Sequence, residues 1–263
     1  MRCPDCPVPD IFGQMLTLSL MAAAGLIAGT MNAIAGGGSF ITFPAMVLAG
    51  LPPVIANASS TVALFPGTIA STFAYRRDLA GVGGYRLVVL APISIAGGLA
   101  GAMLLLATPD HLFDVVIPWL LALASLTFAL GARAGLMLRR FVRIGPGALP
   151  FIQFVISIYG GYFGGAVGIM MMASWSLLLA SGDLKSMAPA RVLLTSAANG
   201  AAVVWFIAAG AVRWPEALAM LGASVIGGYV GARLTHFLPA HIVRRFIVAL
   251  TALITFGFFL RAL

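Results

Sequence analysis

Gly36-Gly37-Gly38-Ser39 interrupts an apolar run that carries no charged residue between positions 11 and 75. Three consecutive glycines are poor helix formers, because each loses more backbone freedom on ordering than any other residue. Lipid cannot hydrogen-bond exposed backbone, so irregular chain at membrane depth persists only where protein surrounds it or a water-filled cavity adjoins it. Membrane carriers hold their substrates at broken helices of this kind. The stretch therefore points to an all-α, polytopic membrane protein of the carrier type.

Composition agrees. Of 263 residues, 61% are hydrophobic and 8% charged, more apolar surface than one soluble core of this length can bury. The seven acids (Asp5, Asp10, Asp78, Asp110, Asp114, Asp183 and Glu216) fall between apolar stretches or in the N-terminal tail, so the long spans are expected to carry no carboxylate. A net charge of +8 would suggest nucleic acid in a soluble domain. Here the arginines cluster in short loops beside the spans, where the orientation rule places them, and no nucleic-acid partner is expected. Cys3 and Cys6, the only cysteines, form one Cys-x-x-Cys in the tail, residues 1–10. That pair lacks the further ligands of a zinc site and is read as incidental rather than redox-active or metal-binding; no metal or cofactor is expected. The first apolar stretch lacks a basic leader and precedes further spans, so it reads as a membrane helix rather than a cleaved signal.

Eight stretches are long enough to cross a bilayer, running approximately over residues 11–34, 54–75, 87–107, 113–136, 147–168, 189–212, 214–233 and 240–262. Two more, 40–50 and 169–180, are too short, and each follows a glycine-rich break. The order of one long helix, a break, a short broken or re-entrant helix and three long helices occurs twice, giving a first repeat at 11–140 and a second at 141–263. Gly38-Ser39-Phe40-Ile41 aligns with Gly168-Ile169-Met170-Met171, and residues 56–69 with 188–201. The basic, proline-containing segment 133–150 is the expected linker.

Loop charge supplies orientation. The loops holding Arg76, Arg77 and Arg86, residues 133–143, and residues 233–245 are net positive and read as cytoplasmic. The Asp110/Asp114 loop has no lysine or arginine, and the Arg213/Glu216 turn is neutral. The bias inverts between repeats, which implies two halves of opposite topology related by an axis in the membrane plane.

A helix that begins inside the membrane directs free N–H groups and a partial positive charge beyond its N-terminus, and anions bind such ends. Gly36, Gly37, Gly38 and Ser39 form one such start, and Gly164, Gly165 and Gly168 precede or open the other. Gly97, Gly98 and Gly101 read instead as close helix contacts. Polar residues near the breaks are candidate cavity walls: Asn32, Ser59, Ser60 and Thr61 in the first half, Thr195, Ser196 and Asn199 in the second. The two asparagines stand out because an unpaired buried amide is costly. Hydroxyls in membrane helices also serve neighbouring backbone, which is their commoner use. Arg191, two residues into a span, either faces an anionic substrate or snorkels to the cytoplasmic interface beside Lys185. His111, His236 and His241 fall in loops, which leaves Ser39 without a partner for hydrolytic chemistry; no catalytic residue is expected.

Gly29, Asn32 and the run Ala35-Gly36-Gly37-Gly38-Ser39-Phe40-Ile41-Thr42-Phe43-Pro44, followed by Ala56-Asn57-Ala58-Ser59-Ser60-Thr61, resemble the sulfite exporter TauE/SafE family. The resemblance covers nearly the whole chain. The second half departs from the pattern, with Gly164-Gly165-Ala166-Val167-Gly168 in place of the glycine run and Ser174 where the first half has Pro44. What the resemblance implies is export of a small sulfur-containing anion, sulfite or an organosulfonate of the sulfoacetate kind, across a bacterial inner membrane. The expected partners are that anion and the lipid bilayer, with homo-oligomerisation left open. Two rivals stand beside this reading: a carrier of another organic anion such as a carboxylate, and a non-transporting scaffold whose glycines only pack helices.

Overall fold

The computed structural model describes residues 11–34, 37–130, 137, 145–179, 186–234 and 240–262. Gly36, Cys3, Cys6, and residues 133–136 and 138–144 of the expected linker lie outside them.

The described chain is helical: α1 (Ile11–Ile34), α2 (Ser39–Leu48), α3 (Pro53–Ala74), α4 (Leu87–Ala107), α5 (Asp110–Leu130), a 3-10 turn (Pro146–Ala148), α6 (Leu149–Tyr162), α7 (Val167–Leu178), α8 (Ala188–Ala208), α9 (Trp214–Leu234) and α10 (Ala240–Ala262). An isolated bridge between Val82 and Tyr85, in the α3–α4 hairpin, is the β-type pairing among the described residues. Five helices, α1, α3, α4, α5 and α8, are long and apolar enough to cross a membrane. Helices α9 and α10, of 21 and 23 residues, match them in length.

Seven long helices and three short ones therefore stand among the described residues, against the expected eight and two. The difference is the stretch 147–168. Its helix α6 ends after 14 residues at Tyr162, because Gly164 adopts φ +77° and Ala166 φ +61°, both outside the right-handed helical region. The acids differ from expectation as well. Asp110 occupies the first turn of α5, with Asp114 and His111 also inside that helix, and Glu216 occupies the first turn of α9 at 8% exposure. Carboxylates are favoured at that end by the helix dipole, so they extend the helix rather than preceding it. Asp110 also accepts the Val54 N–H at 3.3 Å and so satisfies a first-turn donor of α3.

Packing groups the helices across the linker. Helix α1 packs most closely on α9, and α4 on α6 and α8, while α5 pairs with α10. Small residues permit the close approaches. A Cβ on Gly25 or Gly29 would overlap the Met220 or Ser224 carbonyl of α9, and one on Gly98 would overlap that of Ala198 in α8. Two groups result: α1, α2 and α3 with α9, and α6, α7 and α8 with α4. They meet along α3 and α8, where the Thr72 and Ser196 hydroxyls share a hydrogen bond at 2.7 Å and Ser196 donates to the Thr68 carbonyl at 3.1 Å. Away from these contacts large apolar side chains are exposed, among them Leu16, Trp119, Phe151 and Val204, as lipid contact requires.

Gly98→Val is expected to destabilise the protein by about 1–3 kcal/mol, the usual effect of overpacking. Gly222, around which nothing lies within 4 Å, tolerates alanine. Thermal melting in detergent checks the pair, and equal midpoints for the two variants would contradict this packing.

Candidate functional site

The two breaks are built differently. At the first, Gly37 takes φ +94° and Gly38 returns to right-handed values (φ −54°, ψ −30°) as the N-cap of α2. The Phe40 N–H reaches the Gly37 carbonyl at 3.1 Å, and those of Ile41 and Thr42 reach the Gly38 carbonyl at 3.0 and 3.1 Å. Gly38 is buried against α1, where a Cβ would stand 2.8 Å from the Ala28 carbonyl oxygen. At the second, Ala166 caps α7 in the left-handed conformation and its carbonyl accepts the Ile169 and Met170 N–H groups, both at 3.0 Å. In each case the first helical N–H groups have no preceding turn to bond to.

Both helix starts open on one cavity of about 310 Å³. Asn32 of α1, Gly37 and Ser39 line it from the first break, and Gly164, Ala166 and Gly168 from the second. Thr61 and the rest of one α3 face form a wall, with Phe128 of α5 beside it and Arg191, Thr195 and Asn199 of α8 opposite. The lining is mixed: Leu64, Phe65, Phe128, Val167, Ile169 and Val192 are apolar, while other positions carry hydroxyls, amides and one guanidinium.

Arg191 lies over Gly168 at the start of α7. A Cβ on that glycine would be 3.2 Å from the Arg191 Nη1 and 3.4 Å from its Cδ. The Nε is buried and without a hydrogen-bond partner among the described residues, as is the Asn199 Oδ1. The guanidinium thus adds its charge to the positive end of α7. At α3 the level of Arg191 corresponds to Tyr75, since the antiparallel contacts pair Phe65 with Gly200 and Thr72 with Ser196. The cavity accordingly runs from the breaks toward the end of α3 that precedes Arg76 and Arg77.

Eight of the sequence-derived candidates line this cavity: Asn32, Gly37, Ser39, Thr61, Gly168, Arg191, Thr195 and Asn199. Thr61 spends its proton on the Asn57 carbonyl of its own helix at 2.9 Å, and Thr195 approaches the Met171 Sδ at 3.6 Å. Three hydroxyls hold helices together instead. Ser60 is buried and shares a hydrogen bond with Thr42 of α2. Ser59 accepts the Arg213 N–H at 2.9 Å, and Ser196 binds α3 as described. Sequence reading passed over Thr68, Ser71 and Tyr75, which line the cavity with Thr61, Leu64 and Phe65. Their spacing of three or four residues marks one helical face, and that periodicity was the available signal.

The family model described as "Sulfite exporter TauE/SafE" matches residues 21–258. The chain belongs to the TauE/SafE family. Among its relatives is a "Probable membrane transporter protein ORF9" of Sinorhizobium sp, 31% identical over 232 residues that span 88% of each chain. A "Probable membrane transporter protein YfcA" of Escherichia coli K12 is 27% identical over 91% of this chain and 88% of its own. A "Probable membrane transporter protein" of Haemophilus influenzae is 25% identical over 90% and 92%. No solved structure matches. With its apolar helices, this TauE/SafE chain is a multi-pass membrane protein of a transporter family.

Within this TauE/SafE structure, Ser60→Ala is expected to lower stability by about 0.5–1.5 kcal/mol, as for a typical buried hydrogen bond. Combined with Thr42→Val the loss should fall short of additive, because both changes remove one interaction. Denaturation of the two single variants and the double variant measures this, and strict additivity would refute the contact.

Proposed function

We propose that this TauE/SafE transporter carries a small oxyanion, sulfite or a short organosulfonate, by alternating access of the cavity between α2 and α7. The observation that carries the reading is the convergence of two broken-helix N-termini with the Arg191 guanidinium on one cavity. Each helix end is equivalent to roughly half a positive charge, and a guanidinium donates charge-assisted hydrogen bonds to oxyanions. No carboxylate lines this cavity among the described residues. Its volume of about 310 Å³ accommodates roughly ten waters at about 30 Å³ each. That suits a hydrated ion or an anion with a short apolar tail against Leu64, Phe65 and Phe128.

Helix pairing supports the inverted-repeat part of this reading. If α1 to α5 correspond in order to α6 to α10, the α1–α9 contact becomes the α6–α4 contact, and α3–α9 becomes α8–α4. Both members of each pair occur. The α3–α8 and α5–α10 contacts map onto themselves, as they do for elements on a two-fold axis. The rocking bodies are then the two packing groups, each holding one helix exchanged from the other sequence half. For export the membrane potential is a sufficient drive, since one elementary charge is worth about 2.3 kcal/mol per 100 mV and an inside-negative potential expels anions.

The test is ligand-dependent thermal stability in detergent, with sulfite, ethanesulfonate, acetate and neutral analogues as the panel. A ligand that binds the folded state raises the midpoint. Sulfite or sulfonate should stabilise selectively, and Arg191→Gln should weaken that response about tenfold or more, which corresponds to about 1.4 kcal/mol. Stabilisation by acetate alone would replace the sulfur anion with a carboxylate. An Arg191→Gln response equal to that of the unmodified protein would remove the guanidinium from the site.

A further inference from the structure

Helix α6 ends at Tyr162, in the interior, where its last carbonyls have no following turn to accept from. A helix end at that depth requires a donor from elsewhere, because lipid supplies none. The donor is Asn57 of α3. Its Nδ2 bonds the Tyr162 carbonyl oxygen at 2.8 Å, and its side chain is 2% exposed. One turn further along α3, Thr61 Oγ1 stands 3.5 Å from where a Cβ on Gly164 would be. Helix α3 thus touches the second break at two successive turns.

The same turn of α3 also secures the first break. Ser60 holds Thr42, whose own hydroxyl reaches back 3.3 Å to the Gly38 carbonyl that caps α2. Asn57 and Ser60 therefore attach the end of α6, which leads into the second break, and the first turn of α2 to one segment of α3, although the two come from opposite halves of the chain. The corresponding segment of α8 carries Pro189 where α3 carries Asn57, in the alignment of residues 56–69 with 188–201. Proline has no side-chain donor, so position 189 cannot supply the equivalent amide bond from α8.

We infer that Asn57 is a positioning residue for the anion cavity: it fixes the α6–α7 break and, with Ser60, holds the α2 and α7 N-termini in register. Asn57 does not line the cavity, and its effect on a bound anion passes through the Tyr162 carbonyl and the Gly164 turn. This assignment rests on the transport reading only for its consequence for the anion, since the structural part stands by itself.

Two measurements on the full-length protein in detergent or liposomes test it. Hydrogen–deuterium exchange of Asn57→Leu, which keeps the volume and removes the donor, should be at least fivefold faster at the amides of residues 163–170 and unchanged at 39–42. Ser60→Ala should give the converse pattern. The milder Asn57→Ser, which leaves room for a bridging water, covers the case in which the leucine variant does not fold. In uptake by inside-out vesicles with sulfite and ethanesulfonate as probes, the Asn57 variants should raise the half-saturating concentration at least threefold while Arg191 is intact. Unchanged exchange at 163–170 in a folded Asn57 variant overturns the assignment, as does a half-saturating concentration equal to that of the unmodified protein. If the unmodified protein transports neither probe, the sulfur-anion reading fails, and the exchange pattern still decides the role of Asn57.

Discussion

A peptide group without a hydrogen-bond partner cannot be left in hydrocarbon, and the architecture depends on how the two helix breaks meet that constraint. Each break exposes carbonyls at one helix end and N–H groups at the next. At the second break the last carbonyl of α6 is satisfied by protein, through the Asn57 amide on Tyr162. The starts of α2 and α7 adjoin the shared cavity instead, through Gly37 and Ser39 and through Ala166 and Gly168. The asymmetry has a physical basis: an amide side chain can be built into a neighbouring helix to serve a carbonyl, whereas leaving the donors open produces a place for negative charge.

Glycine works in two distinct ways around that constraint. At Gly37 and Gly164 the backbone takes positive φ, and the absent side chain makes the turn accessible. At Gly29 and Gly98 the conformation is helical, and the absent Cβ lets another helix come within carbonyl contact. The second use assembles the bundle around the first. Because α1 is pressed on α9 and α4 on α6 and α8, the short helices stand inside a frame of long ones.

Much of this was legible from residue order. Helix type, the two short helices and their glycine breaks follow from hydropathy and from Gly36-Gly37-Gly38, and the family resemblance was carried by the same stretch with residues 56–61. The boundary of α6 was not, because Gly160, Gly161, Gly164 and Gly165 mark a break within residues 147–168 without fixing the residue at which the helix stops. The left-handed Ala166 is the reason: alanine carries no sequence signature for positive φ. The hydroxyl cluster was legible as a place and not as a set of roles. Ser59, Ser60 and Thr61 are adjacent in sequence, yet successive helical residues point about 100° apart, so one meets the Arg213 N–H, one meets Thr42 and one faces the cavity. Asn57 was legible only as part of the family motif and not in its role, since its partner is a backbone carbonyl 105 residues away, and a main-chain acceptor leaves no mark in the sequence.

The exchange of α4 and α9 between packing groups bears on how the protein is made. Thr30 in α1 donates to the Gly227 carbonyl of α9 at 3.0 Å across 197 positions of chain. Helix α1 therefore meets its main neighbour only after the intervening helices α2 to α8 have been made. Contacts of such long sequence separation are slow to form, and the interleaved bundle can close around α1 only once α9 is present.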